Sequence, residues 1–315
     1  MRFQYFYYFF ICVLFLASCD KDDNDNIMDN SDGYDRSTML YNWSDNIIIP
    51  AYNNLYDDLL ELNGVIEDFS NNPTVNLLNS SSEKWLNAYK SWQYVEMFDI
   101  GLAEVINYKG KMNIYPVDID LIMSNISNGN YDLNNNNNFD SRGFPALDYM
   151  LHGLGDDNNA ILDIYTSNSG YVQYLQDIIG SMLYNTNLII EDWTSFRSDF
   201  VSSTSNTATS SINKLINDFI YYFEKGLRAN KIGIPAGVFS ADPLPDRVEG
   251  YYKRNVSKDL TIEALIAVEN FFKGKHFNSE IYGLSLASYL DYIQVSSNNN
   301  LSSLIISQIS DAVEQ

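Results

Sequence analysis

The residues best placed to do chemistry stand close together in Arg142-Gly-Phe-Pro-Ala-Leu-Asp148-Tyr-Met-Leu-His152-Gly153. A guanidinium binds anions through a fixed fork of donors. A carboxylate four residues before an imidazole shares one helical face with it. Pro145 suits the first position of a short helix ending at Gly153, because its missing N–H costs nothing there. Asp148 would then lie in the first turn, near unpaired N–H groups and the positive end of the dipole. The plainer reading of the stretch is helix-start chemistry and packing. A histidine at a helix C-terminus also needs no ligand to be stable there.

A second acid stands out in Glu83-Lys-Trp-Leu-Asn-Ala-Tyr-Lys-Ser-Trp-Gln-Tyr-Val-Glu96. Ser80-Ser81-Ser82-Glu83 has the form of a capping box opening this helix. Trp85, Ala88, Tyr89 and Trp92 make one aromatic stripe. At about 100° per residue, Glu96 falls about 20° from Trp85. A carboxylate aimed into that face must be paired, protonated or bound to something. The simplest partner is an arginine.

Other signals are weaker. Asp132-x-Asn134-x-Asn136 resembles the start of a calcium loop but lacks its glycine and its closing glutamate, and it is read as an ordinary loop. His276 and Glu280 have i, i+4 spacing across a sequence as suited to a turn. There is no His-Glu-x-x-His, no Gly-x-Ser-x-Gly elbow and no phosphate loop. With two histidines, a metal site would rest on carboxylates, which suit hard cations.

The start of the chain sets the compartment. Met1-Arg2, the apolar run Phe3 to Leu16 and Leu16-Ala-Ser-Cys19 read as a secretory signal at residues 1–18. The pattern resembles a bacterial lipobox, with Cys19 as the lipidated residue. Residues 19–35 read as an acidic tether too poor in apolar residues to pack. The Lys21-Asp22-Asp23 step resembles a surface-export signal. These features imply a lipoprotein of the bacterial outer membrane, with its lipid as the membrane contact. Cys12, the other cysteine, falls in the removed segment, so the mature protein needs no disulfide and depends on its core.

Nineteen Lys plus Arg face 41 Asp plus Glu, a net charge of −22. No basic groove can be assembled from that balance, which excludes nucleic-acid partners. From Arg36 onward, apolar residues recur at threes and fours, which predicts helices throughout. Pro50 should end or kink the first. A long helix is expected over Tyr171 to Val201. The Ser/Thr-rich stretch Ser202 to Ser211 reads as the boundary between two helical bundles, 36–201 and 202–315.

Taken in order, the lipoprotein start, Trp85…Trp92…Glu96…Gly101, Tyr115-Pro116, Arg142 to Tyr149, Lys231-Ile-Gly-Ile-Pro-Ala-Gly237 and Val248-Glu249-Gly-Tyr-Tyr252 resemble the imelysin-like family. The resemblance implies an all-α fold of two bundle-like halves with a functional site between them. It also implies metal-dependent peptidase activity in some members and a part in iron acquisition in others. The family signature is a glycine, any residue, a histidine, two residues and a glutamate. Here it falls on Gly143 to Asp148, with Pro145 at the histidine position and Asp148 at the glutamate position. Proline supplies neither ligand nor base, so binding is expected over catalysis.

On this resemblance Glu96, Arg142, Asp148, Arg247 and Glu249 are expected to meet between the halves. Glu96, Asp148 and Glu249 would be the ligands of a divalent or ferric cation, and a small molecule or peptide end is the other expected occupant. The competing readings are a family metallopeptidase and a non-catalytic scaffold or partner-binding protein.

Overall fold

Pro50 illustrates how one missing N–H shapes this fold. The computed structural model describes residues 32–294 and 300–314; the signal, Cys19 and nearly all of the tether lie outside the described residues. Helix α1 (Arg36–Tyr41) is capped by the Asp35 carboxylate, which accepts the Thr38 N–H. It widens into π-type turns over Asn42–Ile48, and α2 (Ile49–Asn71) follows. The break expected at Pro50 takes the form of this widening. Proline gives no N–H to the carbonyl four residues back. That carbonyl, on Asn46, accepts the Phe277 N–H instead, at 2.7 Å.

Helix α3 (Val75–Trp92) turns back along α2 after Pro73. Its cap is Thr74, whose hydroxyl accepts the Leu77 N–H, so the capping box expected at Ser80–Glu83 lies inside the helix. Ser81 and Ser82 face inward instead. Leu55, Leu59, Leu62, Ile66 and Phe69 of α2 are buried, each contributing roughly 1.5–3 kcal/mol.

Short helices α4 (Leu102–Val105), α5 (Tyr108–Met112) and α6 (Ile119–Asn128) lead to the asparagine-rich loop. In that loop Asp132 and Asn135 each accept the N–H two residues on. Helix α7 (Gly143–Asp148) begins two residues before the expected Pro145. Gly143 has φ +73°, and a Cβ there would lie 2.2 Å from the Met112 carbonyl oxygen. Only glycine fits that approach. The helix widens into π-type turns over Tyr149–Gly153. Asp157 caps α8 (Asn158–Ser167), and α9 (Ser169–Ser202) runs 34 residues, about 50 Å, alongside α2.

Ser203 to Ser210 link α9 to α10 (Ser211–Tyr221), which continues as a π-type stretch, Tyr222–Gly233. Helices α11 (Ser257–Lys273), α12 (Leu286–Gln294) and α13 (Leu301–Glu314) complete the all-helical chain. No strand occurs among the described residues, only an isolated bridge between Lys275 and Tyr282. The core is continuous across the linking loop, and Tyr34–Gln315 form one compact unit. Phe271 of α11 touches Trp43, Phe98 and Phe219, all with ring centroids 5.2 Å away. No described helix is long and apolar enough to cross a membrane.

Candidate functional site

Helix α3 ends at Trp92, but the chain winds on in turns, and Glu96 donates its N–H to the Trp92 carbonyl. Its carboxylate is therefore carried on the last wound turn beyond the helix proper. Asn113 caps the end of α5. Its amide nitrogen donates to Glu96 at 2.9 Å and to Glu249 at 2.7 Å, while its amide oxygen accepts from Tyr89. Gly250, at φ +65° and packed on Val256, follows Glu249 where the backbone reverses.

Lys231 closes the cluster. Its ammonium donates to Glu249 and lies 2.9 Å from Glu96, and its side chain is 1% exposed. The Tyr222 hydroxyl donates to the same Glu96 oxygen at 3.2 Å. Tyr222 and Lys231 are nine residues apart, which at α-helical pitch would place them on opposite faces, about 180° apart. The wide i→i+5 winding of Tyr222–Gly233, at about 4.4 residues per turn, brings them to one face.

The cluster holds two carboxylates and one ammonium. Burial pushes both acids up. For Glu96, the Lys231 charge and hydrogen bond, with help from Asn113 and Lys109, outweigh burial and hold the carboxyl below its usual range. For Glu249, burial and the neighbouring Glu96 outweigh Lys231, and the carboxyl stays above its usual range. Burial depresses the ammonium of Lys231, but the two acids more than restore it. One acid thus holds its charge firmly and the other retains a proton more readily. Gln93 is fully buried beside them; its amide nitrogen faces Glu249, and its oxygen has no hydrogen-bond partner. Tyr115 lines a surface groove, and burial, Glu249 and Glu96 push its hydroxyl well up.

Of the five residues expected to meet, only Glu96 and Glu249 do so. Arg142 is fully buried elsewhere. It donates to the carbonyls of Gly110, Leu133 and Asn135 and lies over the Phe139 ring. Burial lowers its pKa to about 10, with Asp132 opposing. The guanidinium thus fastens the asparagine-rich loop by its backbone oxygens. Asp148 is the last residue of α7 rather than part of a first turn. Its carboxylate accepts the N–H groups of Tyr252 and Lys253, which cross from another segment, and contacts His152. Arg247 is half exposed beside Asp246 at the groove rim. Glu280 pairs with Lys275 rather than with His276. Among the described residues, no three His, Cys, Asp or Glu side chains come together as a metal-holding group. The expected trio Glu96, Asp148 and Glu249 is therefore not assembled.

Sequence reasoning missed Lys231, Asn113, Tyr222 and Gln93. Lys231 opens a motif already singled out, and Asn113 stands two residues before Tyr115-Pro116. Under α-helical periodicity Tyr222 continues the buried stripe of Leu215 and Phe219 and lies opposite Lys231, so nothing in the sequence joins the two.

The fold and this cluster define an all-helical protein with a buried carboxylate–lysine centre fed by segments distant in sequence. The family described as Imelysin matches residues 48–315, and the chain belongs to that family. A putative iron-regulated protein A precursor from Parabacteroides distasonis ATCC 8503 superposes with a TM-score of 0.69 at 17% identity, covering 89% of this chain and 84% of that one. An imelysin-like protein from Psychrobacter arcticum 273-4 superposes with a TM-score of 0.65, also at 17% identity, covering 89% and 83%. No curated protein matches the chain.

Proposed function

We propose that this protein is a cell-envelope lipoprotein that captures a cationic ligand at the Glu96–Glu249 centre, in the service of iron or nutrient uptake. The observation that carries the reading is the charge count: two buried carboxylates share one ammonium. Lys231 acts as a resident cation, and an arriving cation competes with it. The orphaned Gln93 oxygen adds an acceptor beside Glu249. Pro145 at the signature's histidine position argues against the peptidase activity the family name suggests. The iron-regulated relative supports the uptake role, and the lipobox at Cys19 supports the envelope placement.

Calorimetric titration of the mature protein with ferric and divalent ions tests the proposal. A saturable site is expected, weakened at least ~10-fold by Glu96→Gln and tightened by Lys231→Met. The competing scaffold reading is favoured by the completeness of the cluster, in which Asn113, Tyr222 and Lys231 already satisfy both acids. It gains if no ion binds and Glu96→Gln lowers only the melting temperature.

A further inference from the structure

A second polar chain is unused by the centre just described. His152 Nδ1 lies 2.9 Å from Asp148 Oδ1 and 3.1 Å from the Asp148 carbonyl oxygen, while Nε2 lies 2.8 Å from Ser82 Oγ. Both partners of Nδ1 only accept, so Nδ1 carries the proton. When the ring is neutral, Nε2 offers only a lone pair, to which the Ser82 hydroxyl donates. Asp148 is itself fixed by the N–H groups of Tyr252 at 2.8 Å and Lys253 at 2.9 Å. Trp85 packs edge-on against the imidazole, with ring centroids 5.1 Å apart. Proton direction, tautomer and orienting carboxylate are those of an activated serine.

We infer that Ser82 is a nucleophile that accepts an acyl or phosphonyl group from a small, uncharged activated ester. In the acyl case Oγ attacks the carbonyl carbon and its proton passes to His152 Nε2. The C–O bond to the leaving group breaks, and that oxygen takes the proton from Nε2. Water, deprotonated by the same nitrogen, then releases the acid and restores the serine. The size limit follows from burial: Ser82 is 4% exposed and the His152 side chain 11%. Ser82 stands inside α3, so its own N–H is spent in the helix. The short loop after Gly153 leads into α8, whose first residue reaches back to α3. Asn158, the first residue of α8, donates to Asn79 of α3 at 2.8 Å. Asn79 is three residues before Ser82, adjacent on the helix surface.

The test is labelling of the folded mature chain with a small fluorophosphonate, in which an Oγ–P bond forms as fluoride leaves. It is read by intact mass and peptide mapping, with p-nitrophenyl acetate turnover beside it. A single adduct on Ser82 is expected, absent in Ser82→Ala and at least ~100-fold slower in His152→Gln. Ser81→Ala is expected to label at the wild-type rate, because the Ser81 hydroxyl is buried without a partner. Mapping the wild-type adduct keeps the test decisive even where a variant fails to fold. No adduct on folded protein, an adduct elsewhere, or an unchanged rate in folded His152→Gln overturns the inference and leaves the chain as a fastening between α3 and the Tyr252 segment.

Discussion

Two polar clusters gather around α3 and its end, and they treat buried charge in opposite ways. At the Glu96–Glu249 centre, two carboxylates depend on one lysine, so the acids are driven apart in protonation. At Asp148, one carboxylate is met by two backbone N–H groups and an imidazole, and no lysine or arginine is needed. The first arrangement is sensitive to any change in charge, the second to any change in backbone position. A competing cation would act on the first; a shift of the Tyr252–Lys253 segment would act on the second.

The largest expected effect comes from taking the ammonium away. Lys231→Met strands two buried acids and should cost roughly 3–5 kcal/mol at neutral pH. With no ammonium beside them, both folded-state pKa values rise above the unfolded ones. The lost stability should then return as the pH is lowered and the acids protonate. Urea denaturation at several pH values reads both statements. A deficit that does not change with pH would remove the distinction between the clusters.

Asp148→Ala should come next, at roughly 2–3 kcal/mol, because it leaves the Tyr252 and Lys253 N–H groups without their acceptor. Glu249 and Tyr252 stand three residues apart on one segment, so combining this change with Lys231→Met reads whether that segment couples the clusters, a sum additive within about 0.5 kcal/mol leaving them independent. A larger coupling energy in that double-mutant cycle would mean that the two form one network.

Much of the fold was legible in the sequence because helices advertise themselves by apolar period. The helices from Arg36 onward and the long α9 follow from local rules. Glu96 was legible for the same reason, as an acid aimed into an aromatic face. The errors share a cause. Arg142 and Asp148 were expected at one site with Glu96 and Glu249 on the family resemblance, yet backbone groups partner both. Carbonyl and N–H groups are present at nearly every residue and leave no mark in a sequence. The π-type stretch that turns Tyr222 and Lys231 to one face is likewise invisible to a period of 3.6.

The smallest expected effect tests whether crowded acids behave alike when water reaches them. Asp218 is half buried, and its pKa is pushed up to about 6, first by burial and then by Asp99 and Glu104, with Lys109 and Lys214 opposing. Its folded-state value lies above its unfolded one, so its contribution to stability is complete below about pH 4 and is lost as the pH rises through about 6. Solvent screening holds the effect below about 1 kcal/mol. Glu249 slopes the same way and Glu96 the other, so the wild-type curve alone does not isolate it. The difference between wild type and Asp218→Asn does. That difference should change between about pH 4 and pH 6 and be flat above. Repeating the measurement in 1 M salt should shrink the difference, because Asp218 is partly open to solvent. The corresponding difference for Lys231→Met, whose charges are sealed from water, should barely respond.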